Sequence, residues 1–185
     1  IALPGQGKIQ FDATESFDFP VGTAFVKNFS FRRPDGGLRH VETRVFWRQT
    51  DRWVGVTHRW NAAQTDAQRI AGGLQETIDL GGGQSQLWRY PSESECLGCH
   101  TAAGGRVLGV RARQLGEPFP YPYGPMVQLA AWNCGQLFDV DIRDPNRFAR
   151  ARDLDDPTAT RIHRARSYFA SNCEMCHQPQ GPAPG

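Results

Sequence analysis

The sequence predicts an α+β chain, with a β-rich, sandwich-like N-terminal domain followed by helical segments. Three observations predict this class. Apolar–polar alternation with period two crowds the first ninety residues, the clearest helix-start signals come after Tyr90, and 39% hydrophobic residues suffice for one ordinary core in a chain of 185. Mean hydropathy is −0.54, and no apolar run approaches the roughly 20 residues that span a bilayer.

Taken in order, residues 23–31 (TAFVKNFSF) alternate as a half-buried strand does. RPDGG at 33–37 is a turn, because Pro34 fixes φ and the glycines accept positive φ. Residues 41–47 return with the same period and complete a hairpin. Further strands are expected over 52–58, 76–80 and 86–90, the last two around GGGQ. Residues 60–69 fit either a short helix capped by Asn61 or an ordered loop. These elements make a domain of residues 1–90.

Pro91 and a Ser/Glu-rich turn then suit a helix N-terminus. EPFPYPYGP at 117–125 holds four prolines, which excludes helix or central strand. A helical period follows through Val127, Ala130, Ala131, Cys134, Leu137 and Phe138, weakened by Gly135. A charged connector closes a second segment, 91–152. In the third, 153–185, Asp156 is expected as N-cap with Pro157 at the first helical position. Ile162, Ala165, Phe169, Cys173 and Cys176 then form an apolar stripe, expected to pack.

Four of the five cysteines fall into two copies of one motif, Cys96-Leu-Gly-Cys99-His100 and Cys173-Glu-Met-Cys176-His177. C-x-x-C-H is the attachment sequence of a c-type haem: two thiols add to the porphyrin vinyl groups and the adjacent imidazole ligates iron. Two haem c groups are therefore expected, attached through Cys96, Cys99, Cys173 and Cys176, with His100 and His177 as proximal iron ligands. Zinc would need four ligands closing on one metal, and the two trios would have to share or lack ligands. Disulfides would explain neither the identical spacing nor the histidines. Cys134 lies on an apolar helical period and reads as a small buried hydrophobe.

The sixth iron ligand must come from few residues. Met126 follows the Pro-rich loop, which is expected to drape over the first haem, and is the leading distal candidate. His58, His40 and His163 are weaker ones. His163 precedes His177 by fourteen residues, about 21 Å along a helix, so it is excluded from the second haem and left to the first. Met175 lies within its own attachment loop and cannot cross its haem. No nucleophile–base pair or phosphate loop calls for an enzyme.

The stretches FPVGTAFVKNF, HVETRVFWRQTDRWVG, RWNAAQTDAQ, YPSESECLGCHT and RARSYFASNCEMCHQPQG resemble a family of exported bacterial two-haem c-type cytochromes. In that family a β-rich segment precedes one C-x-x-C-H, a cytochrome-c-like segment supplies a second, and a sugar-dehydrogenase-like propeller is often fused. The resemblance implies haem roles for the six motif residues only. RARSYFASNCEMCHQPQG is also similar to the opening of a class I cytochrome c, so residues 153–185 are expected to start a second haem domain that is incomplete here. With Ile as first residue and no signal peptide, the sequence reads as a processed or excised chain.

The expected function is electron transfer outside the cytoplasm, periplasmic or extracellular, between redox proteins such as a dehydrogenase and a terminal acceptor. Alternatives are a di-haem peroxidase, the cytochrome part of a dehydrogenase, or a subunit of a multi-chain cytochrome assembly or filament whose neighbours complete the second haem pocket. A formal charge of +2, with Lys8 and Lys27 the only lysines, excludes a nucleic-acid partner.

Overall fold

The computed structural model describes residues 1–183. Among them are eight strands and three α-helices, strands dominating the first half, so the chain is α+β. No helix of the described residues is long and apolar enough to cross a membrane. The chain divides into two compact units.

The first unit comprises Ile1–Pro4 and Val21–Gly98. Strands β1 (Ala24–Arg32), β2 (Leu38–Arg48), β3 (Trp53–Trp60) and β4 (Ala67–Ile70) form an antiparallel meander in chain order. RPDGG makes the first turn: Arg33 N donates to Gly37 O at 2.8 Å, and Gly36 sits at φ 85°. The open reading at residues 60–69 resolves as a loop closed by Asn61, whose Oδ1 accepts from Thr65 N at 3.1 Å, followed by β4. β5 (Leu74–Gly81) and β6 (Gln84–Tyr90) form a separate ribbon.

A register shift in β1 between Phe29 and Ser30 leaves Val41 without a ladder partner. Such a bulge turns adjacent residues toward one face, and both Val41 and Glu42 are buried. Val41 packs with Ile78 and Tyr90 from the ribbon, and Trp88 meets Phe29 and Phe31 edge-on at 5.6 and 5.4 Å. Fully buried Glu42 is neutralised by the Arg44 guanidinium and accepts Trp88 Nε1–H at 3.0 Å. Beside it, Glu76 accepts Tyr90 Oη–H at 2.6 Å and Arg59 Nε–H at 2.8 Å. The Arg59 hydrogen bond holds the Glu76 carboxyl below its ordinary range, while burial first and the hydrogen bond to Glu76 second push the Tyr90 phenol well up.

The second unit comprises Gly5–Pro20 and the chain from Cys99 onward. Ile9 inserts beside Phe138, donating to Leu137 O and accepting from Asp139 N at 2.8 and 2.9 Å. Around it Phe11, Phe17 and Phe138 form an aromatic core with centroids 5.3–5.4 Å apart. The Pro-rich stretch is a small ribbon, β7 (Pro118–Tyr121) and β8 (Gly124–Val127), rather than a draped loop. β8 takes up Met126 and Val127, so helix α2 (Gln128–Cys134) is shorter than the periodicity suggests. Gln136 at φ 53° ends it, and Leu137 and Phe138 lie beyond.

Helix α3 (Arg161–Asn172) differs from expectation twice. Its N-cap is Thr160, whose Oγ1 accepts from His163 N at 3.2 Å, because the Asp156 carboxylate is used in a tight turn with Thr158. Its expected packing stripe is exposed, with Ile162 at 67% and Phe169 at 59%. The helix instead buries Ser167, whose Oγ accepts from Arg152 N and donates to His163 O, both at 2.9 Å. A small side chain lets the connector backbone approach there, and the apolar residues are left outside.

Candidate functional site

The first motif begins on helix α1 (Glu93–Cys99). Ser92 and Glu95 form a capping box: Ser92 Oγ accepts from Glu95 N at 3.3 Å, and Glu95 Oε2 accepts from Ser92 N at 2.8 Å. The Arg89 hydrogen bond, reinforced by Ser92, holds the Glu95 carboxyl near a pKa of about 2. The cap starts the helix so that Cys96 falls in its first turn. In the first unit the Cys96 side chain lies against Gly55 of β3. A Cβ at Gly55 would stand 2.8 Å from Cys96 Cβ and 3.1 Å from Sγ. Only a residue without a side chain admits the thiol so close to the sheet.

In the second unit, His100 heads a tight loop. Its Nδ1 lies 2.6 Å from Arg106 O, while Arg106 N donates to Thr101 O at 2.9 Å and Arg106 Nη1 to His100 O at 3.2 Å. Arg106 adopts φ 61° and Gly105 φ 77°, which curls the chain back toward the imidazole. A carbonyl can only accept, so Nδ1 carries the proton and Nε2 the lone pair. That tautomer, fixed by a backbone acceptor, is the one an iron-ligating histidine uses. Within the second unit, the Cys99 thiol and this imidazole are donors of the kind haem c uses.

The second motif follows α3 as a further turn. Cys173 O accepts from Cys176 N and His177 N at 3.0 and 2.9 Å. The chain then folds back, with Ala183 N donating to Cys176 O at 3.2 Å. Gly181 permits this: a Cβ there would meet Cys176 O at 2.2 Å. His177 is exposed. Cys134, expected to be buried, is exposed on α2. Among the described residues no cluster of three or more His, Cys, Asp or Glu side chains converges as a metal cage.

Within the second unit the two motif loops meet. The Cβ position of Gly104 lies 3.5 Å from Cys99 O, in the first motif, and 3.3 Å from Met175 O, in the second. Glu174, between the second pair of cysteines, accepts from Arg111 Nη1 at 2.8 Å and Arg113 Nη2 at 2.6 Å. No sequence signal marked Arg111 or Arg113; a carboxylate inside a C-x-x-C-H was the one available hint.

The distal candidates are scattered. His40 Nδ1 is 2.8 Å from Ser30 Oγ, and its ring packs on Trp60 at 5.1 Å. His58, in β3, follows Thr57, whose side chain shares the Cys96 face with Gly55, so strand alternation sends His58 to the opposite face. Its Nδ1 is buried without a hydrogen-bond partner. His163 Nε2 donates to Arg150 O at 2.9 Å. Met126 is half-buried in β8 opposite Phe119.

No protein-family model matches the chain. No curated protein and no solved structure matches it either.

Proposed function

We propose that the chain is a di-haem c-type cytochrome that transfers electrons outside the cytoplasm, in the periplasm or beyond, between redox proteins such as a dehydrogenase and a terminal acceptor. The observation that carries the reading is the His100 imidazole, held in an iron-ligating tautomer by Arg106 O at 2.6 Å inside a C-x-x-C-H loop. Two such motifs in one chain with five cysteines support two haems rather than one. When bound, haem supplies a one-electron iron couple; the protein supplies attachment, ligation and burial. Cys96 and Cys99 attach the first and Cys173 and Cys176 the second, with His100 and His177 as proximal ligands.

Met126 remains the preferred sixth ligand for the first haem. His163 uses Nε2 in a hydrogen bond to Arg150 O, the His40 ring is packed on Trp60, and His58 faces away from Cys96. A thioether ligand raises the potential relative to a second imidazole. Attachment to C-x-x-C-H takes place on the exported side in bacteria, which supports the location. The α+β fold then reads as a sandwich-like β domain followed by haem-binding segments.

A pyridine haemochrome assay on the native holoprotein is expected to return two haems per chain, and C96A/C99A one. Zero haem, or stoichiometric zinc, refutes the reading. A second reading, a subunit of a multi-chain cytochrome assembly, is favoured by exposed Ile162, Tyr168 and Phe169 on the helix leading into the second motif. Sizing of native material tests it: a monomer holding two haems with low-spin spectra refutes it.

A further inference from the structure

We infer that Glu174 is a positioning residue: its carboxylate, gripped by Arg111 and Arg113, locks the second attachment loop onto the first and holds the two haems as one pair that exchanges electrons directly. The inference rests on the di-haem reading above.

Glu174 and Met175 occupy the two positions between Cys173 and Cys176. In a helical turn, residues i and i+3 share one side and the two between them face the other. The two thiols thereby share one side of the turn, while Glu174 and Met175 form the other. That other side is what meets the first haem segment, through Gly104 at Met175 O and through both arginines at Glu174. The remaining gap, lined by Val107, Leu108, Arg111, Ala170 and Glu174, is about 20 Å³, room for one water at most. The loops therefore pack closely against each other.

The grip is specific. Arg111 is only 13% exposed and also donates from Nε to Ser16 Oγ at 3.1 Å, so its guanidinium is fixed from two sides. Each carboxylate oxygen of Glu174 takes its own guanidinium, and charge-assisted bonds of this kind are stronger than neutral ones. Without the carboxylate, the two guanidiniums of the first segment would lie side by side with no counter-charge across the seam, and nothing would hold the second loop to them. Each porphyrin would hang from its loop by thioethers one side chain long, so the clamped spacing of the loops would fix the spacing of the haems. Exchange moves one electron from the ferrous iron of one site to the ferric iron of the other; no bond is made or broken and no proton moves. Outside the cell membrane, the partner redox proteins supply and remove that electron.

The test is the Soret circular dichroism of the full-length holoprotein, with haem counted in parallel. Two haems held at a fixed separation give a bisignate, exciton-coupled band in the wild type. E174Q, isosteric but uncharged, is expected to keep both haems, lose the couplet, and raise one of the two reduction midpoints, since a negative charge near that iron is gone. Where E174Q does not load its second haem, R113K takes its place: it keeps the charge, loses the fork geometry, and is expected to weaken the couplet. A wild type with two haems and no couplet overturns the inference while leaving the di-haem function standing. So does a couplet unchanged in E174Q or R113K. Fewer than two haems in the wild type overturns the function itself.

Discussion

Replacing Gly55 by alanine isolates the contact that brings Cys96 onto the β-sheet. The new methyl would lie 2.8 Å from Cys96 Cβ and 3.1 Å from its Sγ, with Phe46 Cδ2 at an ordinary 3.8 Å. The first distance is inside van der Waals contact, so α1 must shift or β3 must bend. Overpacking of a closed site costs about 1–3 kcal/mol. Against this, alanine in a strand gains about 0.5–1 kcal/mol over glycine through a less mobile unfolded chain. The balance is a loss of about 0–2.5 kcal/mol. Gly72→Ala is the matched control, because a Cβ there meets nothing within 4 Å; it is expected to be neutral or stabilising by up to about 1 kcal/mol. Urea unfolding of both holoproteins, with haem counted by pyridine haemochrome, reads the difference. G55A is expected to unfold earlier than G72A and to show incomplete attachment at the first motif. Equal midpoints with full attachment in both would refute the claim that this glycine exists to admit Cys96.

Gly181→Ala places a methyl 2.2 Å from Cys176 O, so the fold-back after the second motif is expected to open; limited proteolysis should cut after His177 in the variant but not in the wild type. Ser167→Ala removes the acceptor of Arg152 N and the donor to His163 O; leaving a buried N–H unpaired should cost about 1–3 kcal/mol in denaturant midpoints. Burial and the Glu76 bond raise the Tyr90 pKa in the fold above its ordinary 10.0. Its contribution to stability is therefore complete below pH 10 and lost as pH rises from there toward the folded value. Denaturation midpoints across the alkaline range should fall less steeply in Y90F. At the acid end, Glu76 is depressed below 4.5 by Arg59, so its contribution is present above that value and lost as pH falls toward the folded pKa; E76Q should flatten this limb.

The sequence by itself determined what depends on neighbours a few positions apart. Period-two alternation marked the strands of the first unit, because alternate residues of a strand face one side whatever lies across from them. RPDGG marked its turn through the φ preferences of proline and glycine. The two C-x-x-C-H motifs are legible for the same reason, since each is a run of five neighbouring residues. Tertiary structure alone decided which distant segments meet. It joined Gly5–Pro20 to the second unit through Ile9 and Phe138, whose pairing leaves no periodic trace. It also chose the buried side of α3: Ser167 closes on Arg152 N, and Ile162 and Phe169, apolar at helical spacing, stay exposed. Hydrophobic period names a face but not its partner. Gly55 under Cys96 and the arginines around Glu174 belong to the same class. A bare glycine or one arginine among nineteen carries no address, and only the folded chain supplies the atom it meets.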